Sequence, residues 1–219
     1  MMHPAMQDFD RKPSRRVQRR RMFLFLMRQF GMSVMLAVFL GCYALSNQST
    51  ERIGDNVQIA LPLVGLGCAL AEGRGLQYFG RFLLMEALLH GSKAALADAP
   101  INMRPNGGDH GFPSGHTTAS AFGATALVQG CLATNKAAQA VVVIGAGFVG
   151  TSRVEAGAHT IWQVVAGALL GWLVQVAKLW AFDRMVQRGV TACVGALRKA
   201  LRLSRRAWVS RGRRAAGRG

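Results

Sequence analysis

The chain has 219 residues, 51% of them hydrophobic and 17% charged, yet its formal net charge is +17. Its mean hydropathy is +0.21. A soluble domain this basic normally spreads its charge over the surface. Here the charge gathers at both ends of an apolar middle, which disfavours a nucleic-acid-binding domain and points to a membrane protein with both termini cytoplasmic.

The first basic run carries Arg11, Lys12, Arg15, Arg16, Arg19, Arg20 and Arg21. Six apolar segments come after it, at 22–46, 56–71, 76–97, 116–134, 137–151 and 162–182. About 20 apolar residues cross a bilayer, so the pattern predicts an all-α polytopic bundle of about six transmembrane helices. The first segment is read as a retained span rather than a signal peptide, because it is long and Arg28 interrupts it. The fourth is rich in Gly, Ala, Ser and Thr, which permit close helix packing. An even number of spans agrees with two cytoplasmic ends. It places segments 47–55, 98–115 and 152–161 in the periplasm, and the turns at 73–75 and 135–136 in the cytoplasm. Positive-inside charge and small size suggest a bacterial inner membrane.

Three regions result: a basic cytoplasmic tail at 1–21, a membrane-embedded catalytic domain at 22–182, and a second basic cytoplasmic tail at 183–219. The second tail includes Arg184, Arg188, Arg198, Lys199, Arg202 and Arg218. Both tails are expected to bind anionic lipid headgroups, either as disordered chain or as amphipathic surface helices. Cys42, Cys68, Cys131 and Cys193 show no metal-ligand spacing and read as apolar fillers rather than ligands or disulfide partners.

The chemistry concentrates in residues 104–116, Arg-Pro-Asn-Gly-Gly-Asp-His-Gly-Phe-Pro-Ser-Gly-His, and in residues 152–159, Ser-Arg-Val-Glu-Ala-Gly-Ala-His. Two arginines and two histidines fall in loops predicted to share one membrane face. Guanidinium groups grip phosphate oxygens bidentately, one imidazole can attack phosphorus, and the other can protonate a leaving oxygen. Residues 113–116 open the fourth span, so the Ser114 and Gly115 amides are expected to face an anion at a helix N-terminus. The plainer reading makes Ser114 an ordinary N-cap. Glu86, His90 and Lys93 share a face of the third span, either as a headgroup route or as a hydrogen-bonded structural pair. Asp109 and His110 lie in the Gly-rich loop; a metal site built on Asp109 and His116 lacks further ligands, and a flexible headgroup loop is preferred.

Arg104-Pro105, residues 113–116 and Ser152-Arg153-x5-His159 together resemble the three signature motifs of the type-2 phosphatidic acid phosphatase superfamily. That group includes bacterial lipid phosphatases, glucose-6-phosphatase and vanadium haloperoxidases. The resemblance covers roughly residues 76–182. It implies that His159 is a nucleophile forming a phosphohistidine and that His116 protonates the departing oxygen. Arg104, Arg153, Ser114 and Gly115 would hold phosphate, with no metal or cofactor.

Two departures stand out. The family lysine, seven positions before the Arg-Pro arginine, is Ala97 here, and the nearest upstream lysine, Lys93, is eleven before Arg104. The two spacings differ by about one helical turn, so Lys93 is assigned to phosphate, with an insertion at 97–103. The aspartate usual four residues after the nucleophile is Gln163. Its carbonyl is expected to accept the His159 Nδ1–H across an i,i+4 helical spacing, fixing the tautomer without offsetting charge. Glu155, four residues before His159, offers a carboxylate only if that stretch is helical. The expected activity is hydrolysis of a lipid phosphate or diphosphate: isoprenoid diphosphate, phosphatidylglycerol phosphate, phosphatidic acid or lipid A. Rivals are a lipid phosphotransferase and a non-catalytic lipid-binding scaffold.

Overall fold

The computed structural model describes residues 14–216; Arg11, Lys12 and Arg218 of the expected tails lie outside the described residues. The elements are α1 (Arg15–Ala44), α2 (Thr50–Glu72), α3 (Gly75–Leu96), α4 (Gly115–Gln129), α5 (Lys136–Glu155), α6 (Ile161–Val176) and α7 (Trp180–Ala216), with a short 3-10 turn at Pro100–Asn102. No strand occurs among the described residues. The chain divides into two compact units, one up to Ala177 and one from Lys178.

Local chemistry sets the helix ends. Gly73, at φ 77°, ends α2 in the left-handed conformation that favours glycine. Asn135 caps α5 by accepting from the Ala138 amide at 2.9 Å. Thr160 and Gln163 form a reciprocal capping box at the start of α6. α1 is kinked at Phe30.

In the first unit α4 is central, packed against α6, α2 and α5. Lipid tails are as apolar as leucine, so helices in a bilayer associate through close van der Waals packing rather than through apolar burial. The sequence supplies that closeness with small residues. A Cβ on Gly167 of α6 would stand 2.5 Å from the Ser114 carbonyl oxygen, and one on Gly171 would collide with the Thr118 carbonyl, so α6 lies directly on the backbone of α4. Phe122 of α4 is fully buried, met edge-on by Tyr78 at 5.0 Å and by Phe82 at 5.7 Å. Arg81 is buried too, and its Nη1 donates to the Val174 and Gln175 carbonyls at 3.2 and 2.7 Å. It thereby satisfies the last turn of α6 and offsets its negative end.

Large apolar side chains such as Leu40, Leu63, Leu83, Ile144 and Leu169 are exposed. A surface of that kind suits lipid. Six helices coincide with the six apolar segments, but only α1, α2 and α5 are long and apolar enough to cross a membrane, or up to four spans if α6 and α7 count together. α4, at 15 residues, is about 22 Å long at 1.5 Å per residue, short of the roughly 30 Å hydrocarbon layer. α6 has 16 residues, and α3 carries Arg81, Glu86 and Lys93.

The cysteine expectation is corrected. Cys68 and Cys131 form a disulfide, with Cα atoms 5.9 Å apart, joining the end of α2 to the chain just after α4. A sequence separation of 63 hid the pairing, which arises only when α2 and α4 pack side by side. Cys42 and Cys193 are free, the first buried and the second exposed.

α7, taken by itself, is amphipathic. At 100° per residue Val190, Val194, Leu197 and Leu201 fall in one arc, while Arg184, Arg188, Arg198, Lys199 and Arg202 fall in another.

Candidate active site

The end of the bundle where α2, α4 and α6 begin and α3 and α5 finish gathers every candidate residue. α3 stops at Leu96, after which Ala97 turns at φ 39°. Asn102, fully buried, organises the segment between α3 and α4: its Nδ2 donates to the Lys93 and Ala97 carbonyls at 3.1 and 2.7 Å, and its Oδ1 accepts from the Phe112 amide at 3.0 Å. The segment 97–103 is thus folded back against the end of α3. Nothing in the sequence singled out Asn102.

Lys93 is buried in the last turn of α3, where its ammonium donates to the Pro113 carbonyl at 2.8 Å and to the His110 carbonyl. It holds down the loop that leads into α4 and lies within electrostatic reach of Arg104 and His159. Arg104 anchors a tight turn, its amide donating to the Gly108 carbonyl at 2.7 Å. Its Nε is buried with no hydrogen-bond partner in the protein, a donor free for an anion. His110 donates to Asp109 across 3.0 Å, which holds the Asp109 carboxyl below its usual range.

Ser114 precedes α4 and is fully buried. Its hydroxyl bonds Thr117 Oγ1 at 3.1 Å, and it makes no side-chain cap to the helix. The expectation that its amide faces an anion is corrected, since that N–H donates to the Gln163 carbonyl at 2.9 Å. The Gly115 N–H, in the first turn of α4, has no intrahelical acceptor. His116 comes one residue later, partly exposed.

Arg153, in the last turn of α5, is 3% exposed. Its Nη2 donates to the Glu51 carbonyl at 2.6 Å, and its Nη1 lies 3.0 Å from Asp55 Oδ1. The helix ends at Glu155, and Gly157 at φ 64° turns the chain so that His159 comes back under Arg153. The His159 amide donates to the Arg153 carbonyl at 3.2 Å. Glu155 is exposed and the helix does not continue to 159, so the suggested Glu155–His159 helical pair does not form.

His159 is buried, and its Nδ1 lies 3.1 Å from Gln163 Oε1. The contact comes from a loop and the first turn of α6, not from two positions of one helix. Gln163 Nε2 donates to the Ile101 and Met103 carbonyls at 2.9 and 2.8 Å, so its amide orientation is fixed by two acceptors. Oε1 is therefore the atom facing the imidazole, and Nδ1 carries the proton. Gly111 makes room for this side chain: a Cβ there would stand 2.5 Å from Nε2. Burial first, then Arg104, Lys93 and His116, push the His159 pKa down to about 4, with the Gln163 hydrogen bond working against them.

Glu86 and His90 pair at 3.5 Å along α3, the structural alternative for that polar stripe. Besides Asn102, sequence reading missed Asp55 of α2, whose Oδ1 also lies 3.1 Å from His116 Nε2. A cavity of about 490 Å³, bordered by Thr117, Ala121, Gly147, Gly150, Val164 and Trp172, runs between α4, α5 and α6.

A buried neutral imidazole, backed by an amide oxygen and surrounded by cations at one end of a helical bundle, has the make-up of a phosphoryl-transfer site. The PAP2 superfamily model matches residues 84–186, which supports the resemblance to the type-2 phosphatidic acid phosphatase superfamily. That match supports phosphatase-type activity on phosphate esters. No curated protein and no solved structure matches the chain.

Proposed function

We propose that the protein is an integral membrane lipid phosphatase that works through a phosphohistidine on His159. The observation carrying this reading is the pairing of His159 Nδ1 with Gln163 Oε1, which leaves Nε2 as the lone-pair nitrogen inside a ring of cations. In-line attack by Nε2 on phosphorus breaks the bond to the lipid oxygen, and His116 supplies the proton that oxygen needs. Water then hydrolyses the phosphohistidine, releasing inorganic phosphate and restoring the imidazole. Arg104, Arg153 and Lys93, with the Ser114 hydroxyl and the Gly115 amide, stabilise the charge on the equatorial oxygens in both steps.

The cavity between α4, α5 and α6 supports a lipid over a soluble ester, since its walls are mostly apolar and it is bordered by Thr117, one residue after His116, and by Gly150, three before Arg153. Substrate candidates are an isoprenoid diphosphate, phosphatidylglycerol phosphate, phosphatidic acid and lipid A phosphates, presented at the periplasmic face of a bacterial inner membrane. α7 lies along the cytoplasmic surface, its basic arc on anionic headgroups.

Phosphate release from these lipids by the detergent-purified protein, with His159→Ala alongside, tests the reading. Release from one lipid that vanishes in the variant is expected. Retained activity in His159→Ala sinks the mechanism, and phosphate recovered on a second lipid rather than in solution makes the protein a phosphotransferase.

A further inference from the structure

Asp55 belongs to α2, outside the segment matched by the superfamily, yet its carboxylate reaches the centre of the site. One oxygen, Oδ1, lies 3.1 Å from His116 Nε2 and 3.0 Å from Arg153 Nη1. Ion-pair distances on both sides place that oxygen between two residues carried on different helices.

The start of α2 is built to hold it there. Gly54, one residue earlier, is buried against the end of α5: a Cβ at this position would stand 3.1 Å from Arg153 Nη2 and 3.2 Å from Ser152 Cβ. Three residues before that, the Glu51 carbonyl accepts from Arg153 Nη2 at 2.6 Å, and the Glu51 carboxylate lies 3.6 Å from Nη1. The close approach at Gly54 is thus locked by Arg153 on both sides, and Asp55 is delivered to His116 as a consequence.

We infer that Asp55 is the positioning residue for the proton donor His116, orienting its ring and setting which nitrogen gives up the proton. The inference rests on the proposed phosphatase reading, in which His116 is that donor. Asp55 Oδ1 accepts the Nε2–H, so the proton in flight is the one on Nδ1. As the P–O bond breaks, its electron pair goes to the lipid oxygen, that oxygen takes the Nδ1 proton, and His116 is left neutral with Nε2–H still on the carboxylate. The nearby cations that serve phosphate also disfavour a charged imidazole, and the Asp55 carboxylate offsets them locally.

A leaving group that needs no proton separates this role from a purely structural one. p-Nitrophenyl phosphate departs as a stable phenolate, whereas dodecyl phosphate departs as an alkoxide that must be protonated. For each protein the readout is the ratio of kcat/KM for p-nitrophenyl phosphate to kcat/KM for dodecyl phosphate, in detergent. That ratio is independent of the fraction of correctly folded protein. Asp55→Asn is expected to raise it about 100-fold, the usual scale of general-acid assistance, and Asp55→Glu to return it toward the unsubstituted value. An unchanged ratio, with both rates lowered together, overturns the inference and makes Asp55 a support for Arg153. Both rates rising together also overturns it and makes Asp55 a competitor of phosphate. Absence of release by the unsubstituted protein from either ester overturns the phosphatase reading, and this inference with it.

Discussion

Gln163 faces His159 with its carbonyl oxygen while its amide nitrogen is held by the main-chain oxygens of Ile101 and Met103. That division of labour explains why glutamine occupies the place where the superfamily resemblance leads one to look for aspartate. A carboxylate could accept from the imidazole, but it could not donate to two carbonyls, and those two carbonyls belong to the segment 97–103 that follows α3. Gln163→Glu is therefore expected to destabilise the fold by about 2 kcal/mol or more, since a buried charge replaces two satisfied donors. The thermal midpoint in detergent measures it; an unchanged midpoint shows that the two carbonyls do not depend on this amide.

The depressed His159 pKa has a definite sign. With a folded value of about 4, against 6.5 for a free imidazole, the ring stays neutral and able to attack as the medium is acidified past the point where an exposed histidine charges. The acid limb of kcat/KM is expected near pH 4 rather than about 6.5. Arg104→Gln, by removing one of the cations, moves that limb upward. Stability carries the same linkage: the unfolded chain takes up a proton through 6.5 and the folded one only near 4, so stability falls as pH drops between those values.

Lys93 is spent on two main-chain oxygens and also lies within electrostatic reach of Arg104 and His159, so its loss is expected to act twice. Lys93→Met is expected to lower kcat/KM about 10-fold or more and to reduce the thermal midpoint, as the Pro113 and His110 carbonyls lose their donor. Kinetics and melting on the same preparation check both halves. A loss of rate with no change in melting shows that the loop does not depend on this clamp.

α7 carries its own test. Cys193 is exposed and the other free cysteine, Cys42, is buried, so a polarity-sensitive thiol dye reports on α7 selectively. In nanodiscs containing anionic phosphatidylglycerol its emission is expected to shift to the blue relative to phosphatidylcholine alone, and to revert in high salt. Replacing Arg184, Arg188, Arg198, Lys199 and Arg202 by Gln is expected to abolish the difference. Emission identical in both lipids leaves the basic arc without a partner.

The elements of this site differ in how readily sequence betrays them. His116, Arg153 and His159 sit in spaced motifs, and Lys93 emerges from one helical turn of offset. Gln163 was legible twice over, because Thr160-x-x-Gln163 also has the form of a capping box. Asp55 was not, for segment 47–55 reads as a loop, and only the packing of α2 on the end of α5 gives its carboxylate a meaning. Asn102 was hidden for the same reason, as its bonds reach nine residues back to Lys93 and ten forward to Phe112. The helices were clearer than their depth in a membrane. Segment 116–134 shrinks to Gly115–Gln129 because the chain turns at Gly130, which lies against Cys68 and Glu72 where a Cβ would crowd both.

The Cys68–Cys131 bond lies at the far end of the bundle from His159, on the side where Arg20 meets the Ala71 carbonyl. The arginines argue that this side faces the cytosol; an oxidised cysteine pair argues for an oxidising compartment. Threading and thiol state are therefore a single question with a single gel-shift answer. If intact cells treated with a membrane-permeant alkylating agent add two extra tags to the chain, the pair lives as a dithiol beside the glutathione pool. If they add none until a reductant is supplied, the pair lies in an oxidising compartment and His159 opens toward the cell interior.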